Sequence, residues 1–335
     1  MMIRTLQALR FLAAFMVVMH HSVRSFYKSD LGQFDHLVRE VFSMGVDIFF
    51  VISGFVIYYS FEKKPKGVKK FVLDRVFRIV PVYWLCLFVY LFFVIYYPKF
   101  TPYTGFSYDN FISSLLFIPS ENPGGGIFPM LTVGWSLNFE MLFYAIFAVA
   151  ICIKGKDVAA LIIFIVLAVN VMAKMKYLPW FYSNPIIYEF CFGVLIGYIH
   201  LHTDMFKTNN WSGPAIISVI AFIFMLTTPE TNRLIAYGVP AAVIVASLIA
   251  MDTHIKTPDW LVTLGDSSYS LYLVHRIVIT ALTIPFFFNG YSHMKGVLVA
   301  CILSVIISVL MYKFFERPVT RLLKDGYAKL EKAPA

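Results

Sequence analysis

Residues 6–23, LQALRFLAAFMVVMHHSV, form an apolar run that carries one permanent charge, Arg10, and two adjacent imidazoles, His20 and His21. As a helix this run spans roughly 27 Å, close to the ~30 Å hydrocarbon core of a bilayer. No Ala-x-Ala-like cleavage site follows it, whereas further apolar runs do, so it reads as a retained first span and not as a secretory signal. Working outward by apolar runs and their breakers, the other spans fall near 45–61, 81–97, 134–153, 158–173, 185–200, 212–228, 234–251, 268–288 and 296–315.

Composition agrees with that pattern: 59% of residues are apolar, 14% are charged, and the mean hydropathy is +0.75. Such a chain cannot use water as its main solvent. The expected fold is an all-α, polytopic membrane bundle of about ten transmembrane helices. The bundle occupies 1–318, and 319–335 form a short basic amphipathic cytoplasmic tail. With the N-terminus inside, the inner segments hold 18 Lys and Arg, including Lys154 and Lys156, and the outer ones eight. That asymmetry puts both termini in the cytoplasm. The net charge of +9 therefore reports topology and membrane-lipid headgroups, with no nucleic-acid partner expected. Cys86, Cys152, Cys191 and Cys301 all sit in apolar runs without C-x-x-C spacing, which suits packing and argues against disulfides or a metal site. The long outer loop near 98–133, with the flexible run Pro123 to Gly126, is marked as functional by its length.

Ionisable residues inside spans are costly and therefore informative. Arg10 and His21 stand 11 residues apart, which returns to the same helix face after a rise of roughly 16 Å. This stripe suits an extended ligand with its reacting end at His21; the alternative is that Arg10 reaches inner headgroups and His21 closes the outer end. His20 points about 100° away and reads as structural. In GVDIFFVISGF, 45–55, Asp47 is placed to orient an imidazole on a neighbouring helix, and Gly54 reads as a close-packing residue. Arg75 and Arg78, one turn apart in the inner loop before the third span, make a fork for phosphates or else ordinary positive-inside anchors. In GWSLNFEMLFY, 134–144, Glu140 and Tyr144 share a face near the outer surface, and Trp135 is an interfacial residue. In SYSLYLVHRIV, 268–278, Tyr272 and His275 share a face near the inner end of their span.

Taken in order, LRFLAAFMVVMHH, GVDIFFVISGF, RVFRIVPVYW, GWSLNFEMLFY and LGDSSYSLYLVH resemble the acyltransferase-3 family of bacterial membrane acyltransferases, in particular its ExoZ-like, exopolysaccharide-acetylating branch. The resemblance runs from about Arg4 to Pro318. It implies an O-acyltransferase of the bacterial inner membrane that takes an acyl group, in the first instance acetyl, from cytoplasmic acyl-CoA, holds no bound cofactor, and delivers it to a glycan hydroxyl. It selects His21 over His20 as the catalytic residue, with Arg10, Glu140 and Asp47 around it. Acyl-CoA is expected at Arg10, Arg75, Arg78, Tyr272 and His275, and the glycan acceptor at Trp135 and Tyr144. Asp74 departs from the family's inner-loop arginine triplet and weakens the expected grip on phosphates. The oligomeric state is left open, homo-oligomers included. The rival reading of the same buried charges is the proton relay of a secondary transporter or flippase.

Overall fold

The computed structural model describes residues 3–27, 38, 41–101, 105–153, 157–228, 232–289 and 292–331; Lys154, Lys156 and 332–335 of the expected tail lie outside them. The described residues are helical almost throughout. In chain order the helices are α1 Arg4–Phe26, α2 Gly45–Lys63, α3 Val68–Tyr96, α4 Tyr108–Leu115, α5 Trp135–Cys152, α6 Val158–Lys174 and α7 Tyr188–His202. They continue with α8 Ser212–Thr227, α9 Val239–Met251, α10 Asp259–Asp266, α11 Ser268–Asn289, α12 His293–Met311 and α13 Arg317–Leu330. Among the described residues, seven helical stretches are long and apolar enough to cross a membrane, and α6 and α8 are shorter apolar helices. Each apolar run read from the sequence lies on a helix.

Solvent preference is inverted relative to a water-soluble bundle. Phe92 and Ile95 on α3, Phe164 on α6, Ile216 and Ile220 on α8, and Ile302 and Leu310 on α12 are exposed, whereas Asp47, Glu189 and His275 are fully buried. An apolar girdle around a polar interior is what a lipid solvent selects.

α1 packs against α2, α10, α11 and α12 and forms the spine of the bundle. α2 and α7 approach most closely through paired glycines. A Cβ on Gly54 would lie 2.2 Å from the Phe190 carbonyl oxygen, and one on Gly193 would lie 2.1 Å from that of Val51. Small residues permit such backbone contact where lipid offers no hydrophobic drive for association.

Four details differ from the sequence reading. α3 begins at Val68, well before the expected start near 81, so Arg75 and Arg78 stand on the helix and not in a loop. Pro81 lies inside α3; it has no N–H to offer the Phe77 carbonyl, which instead accepts from Thr320 Oγ1 at 3.2 Å on α13. The expected tail includes that helix, which also meets α3 through Lys324 and Asp74 at 3.4 Å. The outer loop is built, not loose. Asn110 Nδ2 donates to Ser120 Oγ and to the carbonyls of Glu121 and Phe128, and a bridge between Glu121 and Ile127 closes a turn. Gly125 and Gly126 have φ of 95° and 76° there, a conformation that favours glycine. Finally, Cys152 is exposed at the end of α5, whereas the other three cysteines are buried.

Gly193→Ala is expected to lower the melting temperature of the detergent-solubilised protein, because overpacking of this kind costs about 1–3 kcal/mol. Gly326→Ala on α13, where an added Cβ meets no atom within 4 Å, is the control and should leave melting unchanged or raise it. Equal melting of wild type and Gly193→Ala would show that the α2–α7 contact is looser than described.

Candidate active site

α1 carries Arg10 into one cavity and His21 into another, on one helix face but roughly 16 Å apart along the axis. The Arg10 cavity is a narrow cleft of about 90 Å³, lined by Arg10, Ser53, Arg75, Arg78, Ser136, Glu140, Tyr144, Tyr269 and Tyr272 together with apolar residues of α2. Arg10 Nη1 donates to Gln7 Oε1 at 3.0 Å, one turn earlier. Arg75 lies 5.8 Å from the Tyr144 ring and 5.6 Å from that of Phe71. The Tyr144 hydroxyl donates to Glu140. Glu316 and Asp266, two carboxyls that the sequence reading did not single out, also act electrostatically on Arg10, and Ser270 Oγ donates to Glu316 Oε2 at 2.6 Å. Glu316 sits in the π-helical turn Tyr312–Glu316 that joins α12 to α13. Half-buried arginines flanked by carboxyls and phenols meet the cost of charge at membrane depth.

The second cavity is wider, about 870 Å³, and is lined by His20, His21, Arg24, Ser25, Asn122, Gly124, Gly125, Trp135, Asn184, Arg233 and Arg276 among others. The turn of the outer loop contributes Asn122 and the two glycines. His21 packs against His20, ring centroids 4.9 Å apart, and against His275 at 5.3 Å. His275 Nδ1 donates to the Leu271 carbonyl at 3.1 Å, which leaves Nε2 as the acceptor nitrogen; among the described residues no group bonds it.

Val46 faces both cavities, so they share a wall. Tyr272 braces that wall. Its hydroxyl donates to the carbonyl of Val133, which lines the wider cavity, at 2.7 Å, and lies 2.7 Å from Ser136 Oγ, which lines the cleft.

The structure thus groups Arg10, Arg75, Arg78, Glu140, Tyr144 and Tyr272 around the cleft, and His21 and Trp135 around the wider cavity. Glu140 and Tyr144 were expected beside His21 and the acceptor; five and nine residues into α5, they lie too deep and meet the arginines. His275 was expected near the inner end with the donor, and it lies against His21 instead. Between the spans expected at 234–251 and 268–288 lies the short helix α10. Its Gly265 sits against the Gln7 backbone, with a Cβ there only 2.1 Å from the carbonyl oxygen, and so α11 starts beside the second turn of α1. Asp47 lines neither cavity. Arg233 holds it through two bonds, Nε to Oδ1 at 3.0 Å and Nη2 to Oδ2 at 2.6 Å, with Glu189 alongside. Asp74 is engaged by Lys66 and by Lys324. Arg233 and Arg276 were missed: the first was counted among loop charges and the second is masked by the neighbouring His275 in sequence.

Half-buried guanidiniums at one level of a spine helix and clustered imidazoles at another place ionisable groups inside an apolar, multi-pass helical bundle. The family profile described as "Acyltransferase domain" matches residues 3–313, and the chain belongs to this acyltransferase-3 family. It is 31% identical to "Exopolysaccharide production protein ExoZ" of Rhizobium meliloti (strain 1021) over 83% of its own length and 89% of the relative's. It is 26% identical to "Acyltransferase MdmB" of Streptomyces mycarofaciens over 82% of its length and 78% of the relative's. No solved structure matches the chain. The family makes the protein an O-acyltransferase.

Arg233→Met is expected to destabilise the protein strongly, by about 3–5 kcal/mol, because it strands the fully buried Asp47 carboxylate. Combining it with Asp47→Asn should recover part of the loss in thermal melts. A single variant that melts with wild type would mean that the pair carries no structural load.

Proposed function

We propose that the protein moves an acyl group, acetyl in the first instance, from cytoplasmic acyl-CoA to a hydroxyl of an exported or cell-surface glycan or its lipid-linked precursor, across the bacterial inner membrane, with His21 as the catalytic residue. The observation that carries this is the division of α1 between the arginine cleft and the histidine cavity, which lie on one helix face and share a wall. The name of the Rhizobium relative supports a polysaccharide as the acceptor class.

In this reading the cleft belongs to the donor. Arg75 and Arg78 take the phosphates of CoA, and Arg10 meets the arm that carries the thioester. Glu140 and Tyr144 hold these arginines in place. Asp74, at the position where the family carries a further arginine, stands between Lys66 and Lys324, so lysines supply cationic surface at that end.

The wider cavity belongs to the acceptor, with Trp135 offering a ring on which a sugar stacks and the Asn122 turn offering polar groups. His21 either accepts the proton of the acceptor hydroxyl as that oxygen attacks the thioester carbonyl, or takes the acyl group itself and passes it on. In both routes the thioester C–S bond breaks, the thiolate of CoA leaves, and the proton lost by the hydroxyl ends on the thiol. His275 positions His21: its Nδ1 is committed to the Leu271 carbonyl, and its acceptor nitrogen is left on a ring packed against His21. Asp47 acts at one remove, by fixing Arg233 at the rim. Tyr272 braces the wall that the acyl group has to pass.

Two kinetic outcomes follow. With detergent-solubilised protein, acetyl-CoA and a glycan acceptor, His21→Ala should lower thiol release by about 10²- to 10⁴-fold, the usual worth of a positioned acid/base group, with a much smaller effect from His20→Ala. Wild-type turnover in His21→Ala would remove the catalytic assignment. Arg78→Gln should raise KM for acetyl-CoA more than it lowers kcat, which separates donor binding from chemistry; an unchanged KM would take the phosphates away from the cleft.

A further inference from the structure

The histidine cavity has an electrostatic character that acyl transfer to a neutral sugar does not call for. Three guanidiniums line it, from Arg24, Arg233 and Arg276, and no Asp or Glu stands among its described lining residues. Arg233 is compensated from behind by Asp47, which is outside the cavity. Arg24 and Arg276 both act electrostatically on His21, so their charge falls on the place where the acceptor reacts.

Arg24 by itself has an ordinary explanation, since it ends α1, where a cation complements the helix dipole. Arg276 has none of that kind. It sits in the third turn of α11, away from either helix end, with the Tyr90 phenol beside its guanidinium, and its Nε is buried with no hydrogen-bond partner among the described residues. A half-buried guanidinium whose buried Nε–H is unsatisfied, beside a cavity of about 870 Å³, is poised for an acceptor atom that comes from outside the chain. In the orientation proposed above, these arginines also lie at the outer side of the membrane, which positive-inside topology keeps poor in basic residues. Neutral sugars are held by amides, hydroxyls and aromatic rings, and this cavity has those in Asn122, Asn184 and Trp135. The guanidinium fork matches carboxylates and phosphates, to which it bonds in pairs.

We propose, resting on the acyl-transfer reading, that the acceptor is an anion: a glycan bearing a carboxylate or phosphate oxyanion close to the hydroxyl that receives the acyl group, bound by Arg276 and Arg24. The oxyanion has two possible sources, an acidic sugar within the glycan or the diphosphate of a polyprenyl carrier.

The test is equilibrium binding to the intact, detergent-solubilised protein of three probes: a neutral oligosaccharide, an oligosaccharide of the same length containing a uronic acid, and a polyprenyl diphosphate. At least one anionic probe should bind tenfold or more tightly than the neutral one. Arg276→Gln should abolish the difference, and so should Arg24→Gln, a change at an exposed side chain that leaves folding intact. Arg78→Gln in the cleft should retain it, which separates this site from the donor phosphates. Preference for the uronic acid assigns the charge to the sugar, and preference for the diphosphate assigns it to the carrier. Equal binding of all three probes, or a preference that survives both Arg276→Gln and Arg24→Gln, overturns the inference. Thiol release from acetyl-CoA, measured on the same preparation, reads the acyl-transfer proposal separately. His21-dependent release without anion preference removes this inference alone. Anion binding without release under any acceptor removes the acyl-transfer reading and, with it, the acceptor role of the site.

Discussion

A guanidinium in hydrocarbon has to be given counter-charge, hydrogen bonds or a wet cavity, and this molecule is organised around three solutions to that constraint. Arg233 is solved by a two-bond pair with Asp47, buried to zero exposure on the carboxylate side. Arg10, Arg75 and Arg78 are gathered in one cleft, where Gln7, Glu140 and Tyr144 share them. Arg24 and Arg276 open onto the wide cavity. Each solution fixes the relative height of several helices, because a salt bridge or a shared cleft tolerates far less sliding than a seam of aliphatic side chains.

The spine that carries these solutions is α1. Its neighbours reach it through glycines: a Cβ on Gly45 of α2 would stand 2.3 Å from the Ala13 carbonyl, and Gly265 of α10 meets Gln7 in the same way. Backbone contact of this kind sets α2 and α10 at fixed levels along α1. It is therefore glycine packing, more than any feature of the catalytic candidates, that brings His275 to the level of His21 and Asp266 to that of Arg10. The proposed acyl-transfer site is assembled from residues on helices that this packing and the charge contacts together set at matching levels.

The two cavities divide labour along one helix. The narrow cleft is lined by three arginines, one carboxyl and three phenols, while the wide one is bounded by an ordered loop whose turn depends on Gly125 and Gly126. Between them, Tyr272 fastens the start of α5 at Val133 and Ser136. The large exposed side chains along the described spans are mostly apolar, so the polar chemistry is concentrated in the interior, where the low dielectric strengthens it.

The chain's sequence by itself determined the solvent, the helical class and the face shared by Arg10 and His21, because hydropathy and the 3.6-residue repeat act within single helices and need no knowledge of neighbours. It also carried the family, through five motifs whose order survives in one dimension. What only the tertiary structure decided is which side chains meet. Asp47 is one turn into α2 and sequence offers it any cation on any neighbouring helix; packing gives it Arg233. Glu140 and Tyr144 were legible as a pair at i and i+4, yet their depth relative to α1 depends on where α5 begins beyond the outer loop, and that loop is held by Asn110 bonds to groups 10, 11 and 18 residues away, beyond the reach of a helical repeat. His275 lies beside His21 because a short helix, α10, lifts the start of α11, and nothing in the local pattern of 251–267 states that height. Periodicity fixes direction around a helix axis; position along the axis relative to other helices comes from contacts between segments distant in sequence, which is why the site's members were readable and their partners were not.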